Sequence, residues 1–446
     1  MNDLEMATTV AKLVKERGGS TYFVGGYVRD KIMGRENKDI DIEVHGIDPS
    51  SLELILSSLG KVELQGASFG VYNIHGFGID IALPRTERKI GSKHTDFKAT
   101  VDPDLGLQEA ARRRDFTINA LMEDVLTGQI IDFWGGVDDL NNHIIRHVDS
   151  DTFKDDALRV LRAAQFAARF EFEVAEETIE LCKSIDLSEL SRERIFSEME
   201  KALLKAEKPS IFFETLRKME QLDVWFPELK DLIGTKQNEQ YHKEGDVWVH
   251  TMMVLDEAAK RRNETAQPLA LTLSALCHDL GKPVSTSVGE DGVTHSYQHD
   301  LKGVSVVDKF MRRISNDKNL SKYLLNMTRL HMRPNIMAEK SSKVKSTNKM
   351  FDEAVAPDDL ILLSECDDAG RLPSGKGNRE FLLERLKIYH ECMAKPHVTG
   401  NDLIAAGLTP GVQFSEILKY AHKLRLAGVD KEGALKQTLW YARKMH

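Results

Sequence analysis

The chain has 446 residues and a formal net charge of −9, too long for one compact core, so roughly three structural units are expected. Its composition, 41% hydrophobic and 29% charged, is that of a helix-rich globular protein. With no run of about 18 apolar residues and no charged-then-apolar leader, neither a membrane span nor a signal peptide is expected. The acidic balance argues against indiscriminate adhesion to nucleic acid but leaves room for a local basic groove. Four scattered cysteines, Cys182, Cys277, Cys366 and Cys392, form no C-x-x-C pair and suit a reducing cytoplasm, each as a small buried hydrophobe.

Strand-like runs at 21–24, 39–44, 71–75, 78–83 and 129–133 alternate with helical patterns at 5–17, 27–33, 50–58 and 107–122. From about residue 150 helical periodicity takes over, at 153–170, 174–185, 192–205, 209–219, 247–262, 267–279, 300–314 and onward. The pattern reads as an α/β head followed by a long all-helical body. Candidate joints are 206–210, 228–246, the basic, serine-rich 339–349 and the Pro/Gly-punctuated 372–378, with a fresh helical pattern from Val398.

Residues 22–30 read Tyr-Phe-Val-Gly-Gly-Tyr-Val-Arg-Asp. A strand that enters a tight Gly25-Gly26 turn and then a helix offers free backbone N–H groups to an anion. After Gly34 comes Lys-Asp-Ile-Asp-Ile, where Asp39 and Asp41 alternate with Ile40 and Ile42. On a strand both carboxylates share one face and both isoleucines turn to the core. Two adjacent carboxylates repel unless a cation lies between them. D-x-D alone more often describes a solvent-facing charged strand. The Gly-Gly-x-x-Arg-Asp turn just upstream tips the reading to a nucleotide-binding two-metal site. Asp80, in Gly-Ile-Asp-Ile-Ala-Leu, is either a third carboxylate of that site or an exposed strand residue. If its strand lies beside the Asp39/Asp41 strand, three carboxylates converge, as in-line attack on an α-phosphate requires.

Farther on, Arg112-Arg113-Arg114-Asp115-Phe116-Thr117-Ile118-Asn119 sits in a helical pattern. One or two of its arginines can face a phosphate or base edge, the others forming a solvated basic face. Asp115 and Asn119, one turn apart, can brace a shared structure. In Asp155-Asp156-Ala-Leu-Arg159-Val-Leu-Arg162 the charged residues cluster on adjoining faces of one expected helix. A carboxylate that fixes a guanidinium can read a base edge, although such a pattern is more often a plain salt-bridge ladder.

Taken in order, these motifs resemble the class II tRNA nucleotidyltransferase (CCA-adding enzyme) and bacterial poly(A) polymerase family over about residues 20–230. The resemblance implies an α+β head of the DNA polymerase β-like nucleotidyltransferase type, an all-α neck, and Mg²⁺ on Asp39 and Asp41. It places Gly26 and Arg29 at the triphosphate, Arg114 and Arg162 near the incoming nucleotide, and Asp156 with Arg159 as the protein template for CTP or ATP. Asp155 replaces the family's usual glutamate, and Gln165 stands where a further arginine is common. Between Pro84 and Ala110, the segment with Arg85, Arg88, Lys89, Gly91, Lys93, His94 and Lys98 is similar to the flexible loop of complete CCA-adding enzymes.

A second constellation comprises His250, His278-Asp279, His299, His331 and Asp367. Imidazoles and carboxylates of this kind suit Mg²⁺, Mn²⁺, Ni²⁺ or Fe in an open, water-activating site. A lone histidine on such helices is usually a core or surface residue, and His242 and His295 are read that way. Over about residues 240–372 the set resembles an all-α HD phosphohydrolase domain like that of multifunctional CCA proteins. That likeness favours Asp367 over Asp368 and implies hydrolysis of 2′,3′-cyclic phosphates, 2′-nucleotides or phosphate esters, or a retained fold with weak activity. Lys340, Lys343, Lys345 and Lys349 either touch phosphates or form a solvated linker.

The expected organisation is a head at 1–145, a neck at 146–228, an HD domain at 229–395 and a helical tail at 396–446. The expected function is cytoplasmic addition or repair of the tRNA 3′-CCA from CTP and ATP, without a membrane partner, as a monomer or homodimer. The alternatives are a poly(A) polymerase and a CC- or A-only enzyme.

Overall fold

The computed structural model describes residues 1–37, 39–65, 70–89, 97–290, 292–375 and 377–444. Its contacts divide into two compact units, residues 1–206 with 211–225, and residues 207–210 with 226–446. All four cysteines are buried and free.

The first unit is built on a sheet whose strands are β1 (Ser20–Val24), β2 (Ile40–His45), β3 (Val62–Gln65), β4 (Val71–Ile74), β5 (Ile79–Ala82), β8 (Met122–Asp124) and β9 (Ile130–Ile131), ordered β3-β4-β5-β2-β1-β8-β9. A separate ribbon pairs β6 (Arg85–Lys89) with β7 (Phe97–Val101). The alternation expected of β2 and β5 places Ile40, Ile42, Ile79 and Ile81 in the core. These two strands run parallel with Asp41 opposite Asp80, while β1 lies antiparallel to β2. Helices Asp3–Glu16 and Pro49–Leu59 bury Val10, Val14, Leu52 and Leu56.

The helix expected over 107–122 stops at Arg112. Asp115 caps the backbone N–H of Phe116, whose φ of −130° is extended, before a short 3-10 turn at Thr117–Asn119. Likewise 153–170 is two helices, Ser150–Lys154 and Leu158–Phe170. Asp156 sits in the break and accepts the Leu158 N–H, a turn role that aspartate prefers to a helix interior. The expected loop between Pro84 and Ala110 contains the paired strands β6 and β7, with Arg88, Lys89 and Lys98 on them. Gly91, Lys93 and His94 lie outside the described residues.

A buried polar chain ties these segments together. Arg29, 4% exposed, pairs with Asp30 at 2.6 Å and donates to Asn119 Oδ1 at 2.6 Å. Asn119 donates to Asp115 Oδ1 (2.9 Å), and the other oxygen of Asp115 takes Arg162 at 2.6 and 2.7 Å. At the opposite end Asp30 accepts from Asn37, whose own side-chain oxygen accepts the Asp39 N–H at 2.9 Å. Phe170 and Phe166 cover the Arg29 guanidinium at 4.7 and 5.3 Å.

Among the described residues the second unit is helical apart from the small hairpin Thr286–Val288/Thr294–Ser296. Its centre is helix Pro268–Cys277, buried at every position from Ala270 to Cys277. It packs against helices Val247–Arg261, Lys318–Leu330 and Pro357–Ala369. Just beyond its end, Gly281 meets the start of helix His299–Ile314 so closely that a Cβ would lie 2.0 Å from the His299 carbonyl. The basic 339–349 stretch, expected as a joint, leads into helix Val344–Glu353, with Lys349 paired to Glu353 at 3.8 Å. Helices Gly400–Ala405, Phe414–Leu426 and Lys431–Lys444 share an apolar cluster around Leu403 and Ile417. Among the described residues no helix is long and apolar enough to cross a membrane.

Burial opposes the charge of Asp115, but Arg162 and Asn119 hold its carboxyl below the ordinary range. This stabilisation is therefore present above the unfolded carboxyl pKa of about 3.9 and is lost as pH falls below it. Asp115→Asn should cost about 2 kcal/mol at pH 7, discounted for the one-third exposure of Arg162, and should make acid unfolding less steep. Urea titrations across pH check this, and identical acid limbs would contradict it. Gly281→Ala should push the Asp279 and His299 segments apart and lower divalent-ion uptake. Undiminished metal content in a folded variant would show that the contact does not set the cluster.

Candidate functional site

In the first unit, Gly25 turns at φ +65° and Gly26 opens helix Gly26–Ile32. A side chain at Gly25 would press on Arg114 Nη1, since its Cβ would lie at 3.0 Å. The bare turn thus lets the Arg114 guanidinium lie beside it. Arg114 also faces buried Glu43 at 3.6 Å, and Glu43 is hydrogen-bonded to His45 at 2.9 Å.

Next to this turn a cavity of about 400 Å³ is lined by residues that include Asp41, Asp80, Arg85, Arg113, Arg114 and Arg159. Burial raises the Asp41 carboxyl above its ordinary range, and the Asp80 charge raises it further against the pull of Arg114. Two carboxylates side by side under that repulsion fit a bound cation. Asp39 lies just before β2 and is exposed, and Asp80 is exposed with Asn73 hydrogen-bonded to it.

Several expected positions differ. Arg29, expected at a triphosphate, is 4% exposed, and its donors go to Asp30 and Asn119 behind the turn. Arg162 gives Nε and Nη2 to Asp115 and keeps 32% of its side chain exposed. The side chains of Asp156 and Arg159, expected to act as one template, take different partners. Arg159 instead donates to the carbonyls of Thr152 (2.8 Å) and Arg113 (2.7 Å), which fixes its fork at the cavity wall. Asp156 accepts from Arg194, at 2.9 and 3.0 Å, in addition to the Leu158 N–H. Gln165 is 2% exposed, so it offers no surface to a phosphate. Sequence reading missed Arg194 because its partner lies 38 residues away.

In the second unit the six expected side chains converge. His250 comes from helix Val247–Arg261, His278 and Asp279 follow helix Pro268–Cys277, and Asp367 lies on helix Pro357–Ala369. His299 opens its helix and His331 links helices Lys318–Leu330 and Met332–Glu339. Asp279 stands between two imidazole pairs. Its Oδ2 faces His278 and His250 at 3.2 and 3.7 Å, and its Oδ1 faces His299 and His331 at 3.3 and 3.8 Å. Asp367 Oδ1 lies 3.1 Å from His250 Nε2.

Each imidazole sets its Nδ1 against a backbone carbonyl: Gly370 for His250, Ala275 for His278, Ser296 for His299 and Thr328 for His331. A carbonyl only accepts, so Nδ1 donates and Nε2 of a neutral ring keeps its lone pair for the cluster. Those Nε2 atoms then oppose one another, 3.4 Å between His278 and His250 and 3.3 Å between His299 and His331. Asp279 Oδ1 is buried without a hydrogen-bond partner. Opposed lone pairs around an orphaned carboxylate oxygen fit metal ions. Among the described residues three ligand triplets qualify, His242–Glu244–His250, His250–His278–Asp279 and Asp279–His299–His331, and the last two share Asp279.

Burial and the neighbouring imidazoles lower His331 to about 3. Burial also opposes charge on His250, but hydrogen bonds to Asp367 and Glu244 outweigh it and raise that ring to about 9. His242, read as an isolated histidine, joins Glu244 at 2.7 Å, and Glu244 reaches His250 Nδ1 at 3.1 Å. Lys282, also missed, pairs with Asp279 Oδ2 at 2.6 Å and donates to Gln237 at 2.6 Å. Its place one turn beyond Asp279 was the available signal.

Residues 21–146 match the poly A polymerase head domain, and residues 171–233 match the probable RNA and SrmB-binding site of polymerase A. The chain is 37% identical to the multifunctional CCA protein of Actinobacillus pleuropneumoniae serotype 5b over 92% of this chain and 98% of that protein. It is 35% identical to that of Nitrosococcus oceani, over 87% and 93%. In fold it is similar to the Thermotoga maritima CCA-adding enzyme complexed with tRNA(CCA), with a TM-score of 0.64 and 21% identity over 98% of this chain and 95% of that one. The Bacillus stearothermophilus CCA-adding enzyme in complex with CTP gives 0.66 and 20%, over 100% and 99%. A nucleotidyltransferase head carrying Asp41 against Asp80, with kinship running almost end to end, places this chain in the multifunctional CCA protein family.

Proposed function

We propose that the chain builds or repairs the 3′-terminal CCA of tRNA from CTP and ATP, and that its second unit is a metal-dependent phosphohydrolase of HD type. The observation that carries the reading is Asp41 in register with Asp80 beside the Arg114-flanked glycine turn, in a chain of this kinship. CCA-adding enzymes of this fold have been captured with tRNA, ATP and CTP, and we assign the same partners here. The proposed division is head 1–145, neck 146–228, HD domain 229–395 and tail 396–446, in a cytoplasmic protein.

In the head, Asp39, Asp41 and Asp80 hold Mg²⁺, with Asp39 and Asp41 as its principal ligands. Arg114 and the Gly26 backbone meet the triphosphate. Arg159, its fork anchored on two carbonyls, reads the base with Asp156, whose carboxylate Arg194 holds in one pose. Such a pre-set hydrogen-bonding edge rejects a base that leaves buried groups unpaired. Arg29 and Arg162 act behind the site by keeping the motif segments in place. In the second unit His250, His278, Asp279 and Asp367 hold one divalent ion. Asp279, His299 and His331 have the donors for a second, with Mg²⁺, Mn²⁺, Ni²⁺ and Fe as candidates. Bound ions would supply Lewis-acid neutralisation of phosphate oxygens in both units.

Asp39→Ala with Asp41→Ala should abolish nucleotide incorporation into tRNA and leave phosphate-ester hydrolysis intact. His278→Ala with Asp279→Ala should do the reverse. Loss of both activities in folded forms of either pair would contradict two independent sites. Stripped and reloaded with Mn²⁺, the Asp39→Ala/Asp41→Ala chain should retain up to two ions, and none would refute the metal reading of the second unit.

A further inference from the structure

We propose that Arg371 is the phosphate anchor of the second unit's cavity, gripping oxygens of a phosphate ester or of inorganic phosphate beside the imidazole–carboxylate cluster. The inference rests on the hydrolase reading of that unit and names how its substrate is held.

The cavity, of about 380 Å³, has Asp279, His299 and Asp367 on its wall, and its lining includes two side chains with permanent positive charge, Lys282 and Arg371. Lys282 is already committed: it is 7% exposed and lies 2.6 Å from both Asp279 and Gln237. Arg371 is more accessible, with 21% of its side chain exposed, and among the described residues its ion-pair partner is Asp368, through Nη2. A guanidinium carries five N–H donors in a planar fork. One contact to Asp368 leaves donors for two oxygens of a phosphate, the geometry in which arginine surpasses lysine.

The support behind Arg371 is built rather than incidental. Asp368 also accepts from Asn335 Nδ2 at 3.0 Å, and Asn335 is tied to the Ser364 carbonyl at 3.2 Å. The Gly375 N–H donates to the Asp368 carbonyl at 3.0 Å. A Cβ at Gly375 would come within 2.3 Å of the Asp368 carboxyl carbon, so the bare backbone there lets Asp368 take its position. The two adjacent carboxylates thus divide their work. Asp367 turns to His250, while Asp368 turns to Arg371 and holds a long side chain in one pose, reducing the entropy lost when a ligand arrives.

The test is calorimetric titration of inorganic phosphate into the metal-loaded full chain, with metal content and p-nitrophenyl phosphate hydrolysis measured in parallel. Arg371→Ala should weaken phosphate binding by about tenfold or more, with KM rising by a similar factor and metal content unchanged. Arg371→Lys should recover part of the loss. Gly375→Ala, acting through Asp368, should weaken phosphate binding in the same direction. Wild-type phosphate affinity and KM in Arg371→Ala, with hydrolysis intact, would overturn the anchor while leaving the hydrolase reading standing. A wild-type second unit that takes up no metal and hydrolyses no ester would instead overturn that reading, and the anchor with it.

Discussion

The buried guanidinium of Arg29 is the constraint on which the head depends. A permanent cation at 4% exposure is tolerable only when its donors are met, and Asp30 and Asn119 meet them while two phenylalanine rings cover it. Because Asn119 passes the contact to Asp115 and Arg162, and Asp30 passes it to Asn37 and the Asp39 backbone, one polar chain reaches four separate motif segments. The glycine turn, the D-x-D strand and the arginine helix are thereby held in one arrangement. Each arginine absorbed by the chain is one fewer facing the cavity, whose wall carries Arg113, Arg114 and Arg159 of the motifs together with Arg85.

The second unit solves a related problem with buried imidazoles and carboxylates. Four imidazoles turn Nδ1 to backbone carbonyls and Nε2 inward toward Asp279 and Asp367, so the buried rings and carboxylates offset one another while Asp279 Oδ1 is left without a hydrogen bond. Helix Pro268–Cys277 can deliver His278 and Asp279 to this point because every residue of its last two turns is buried, and the Gly281–His299 contact brings the second imidazole pair against Asp279.

Local periodicity carried much of this into the sequence. The alternation of Ile40 and Ile42, and of Ile79 and Ile81, marks two strands with one buried face, and both strands appear within a residue or two of their expected ends. That β2 and β5 lie parallel with Asp41 opposite Asp80 is a long-range pairing that no local pattern encodes. The over-long helices at 107–122 and 153–170 have one cause. Asp115 and Asp156 spend their carboxylates on nearby backbone N–H groups, and the backbone leaves the helix there. Arg194 was silent for another reason: its partner Asp156 lies 38 residues back, and only the folded chain brings the two near. Asp368, weighed against Asp367 as a ligand, instead serves Arg371 three residues on. The imidazole–carboxylate set was legible because histidine beside aspartate at a helix end is an uncommon pattern with definite chemistry.

The most direct test of the central claim is incorporation on a tRNA transcript ending at its discriminator base, with Mg²⁺ and CTP, ATP or both, resolved to single nucleotides. The account predicts three additions that require both nucleotides and end in A. Two additions from CTP with no A, A added only to a CC end, or long A tails would contradict it in favour of a partial enzyme or a poly(A) polymerase.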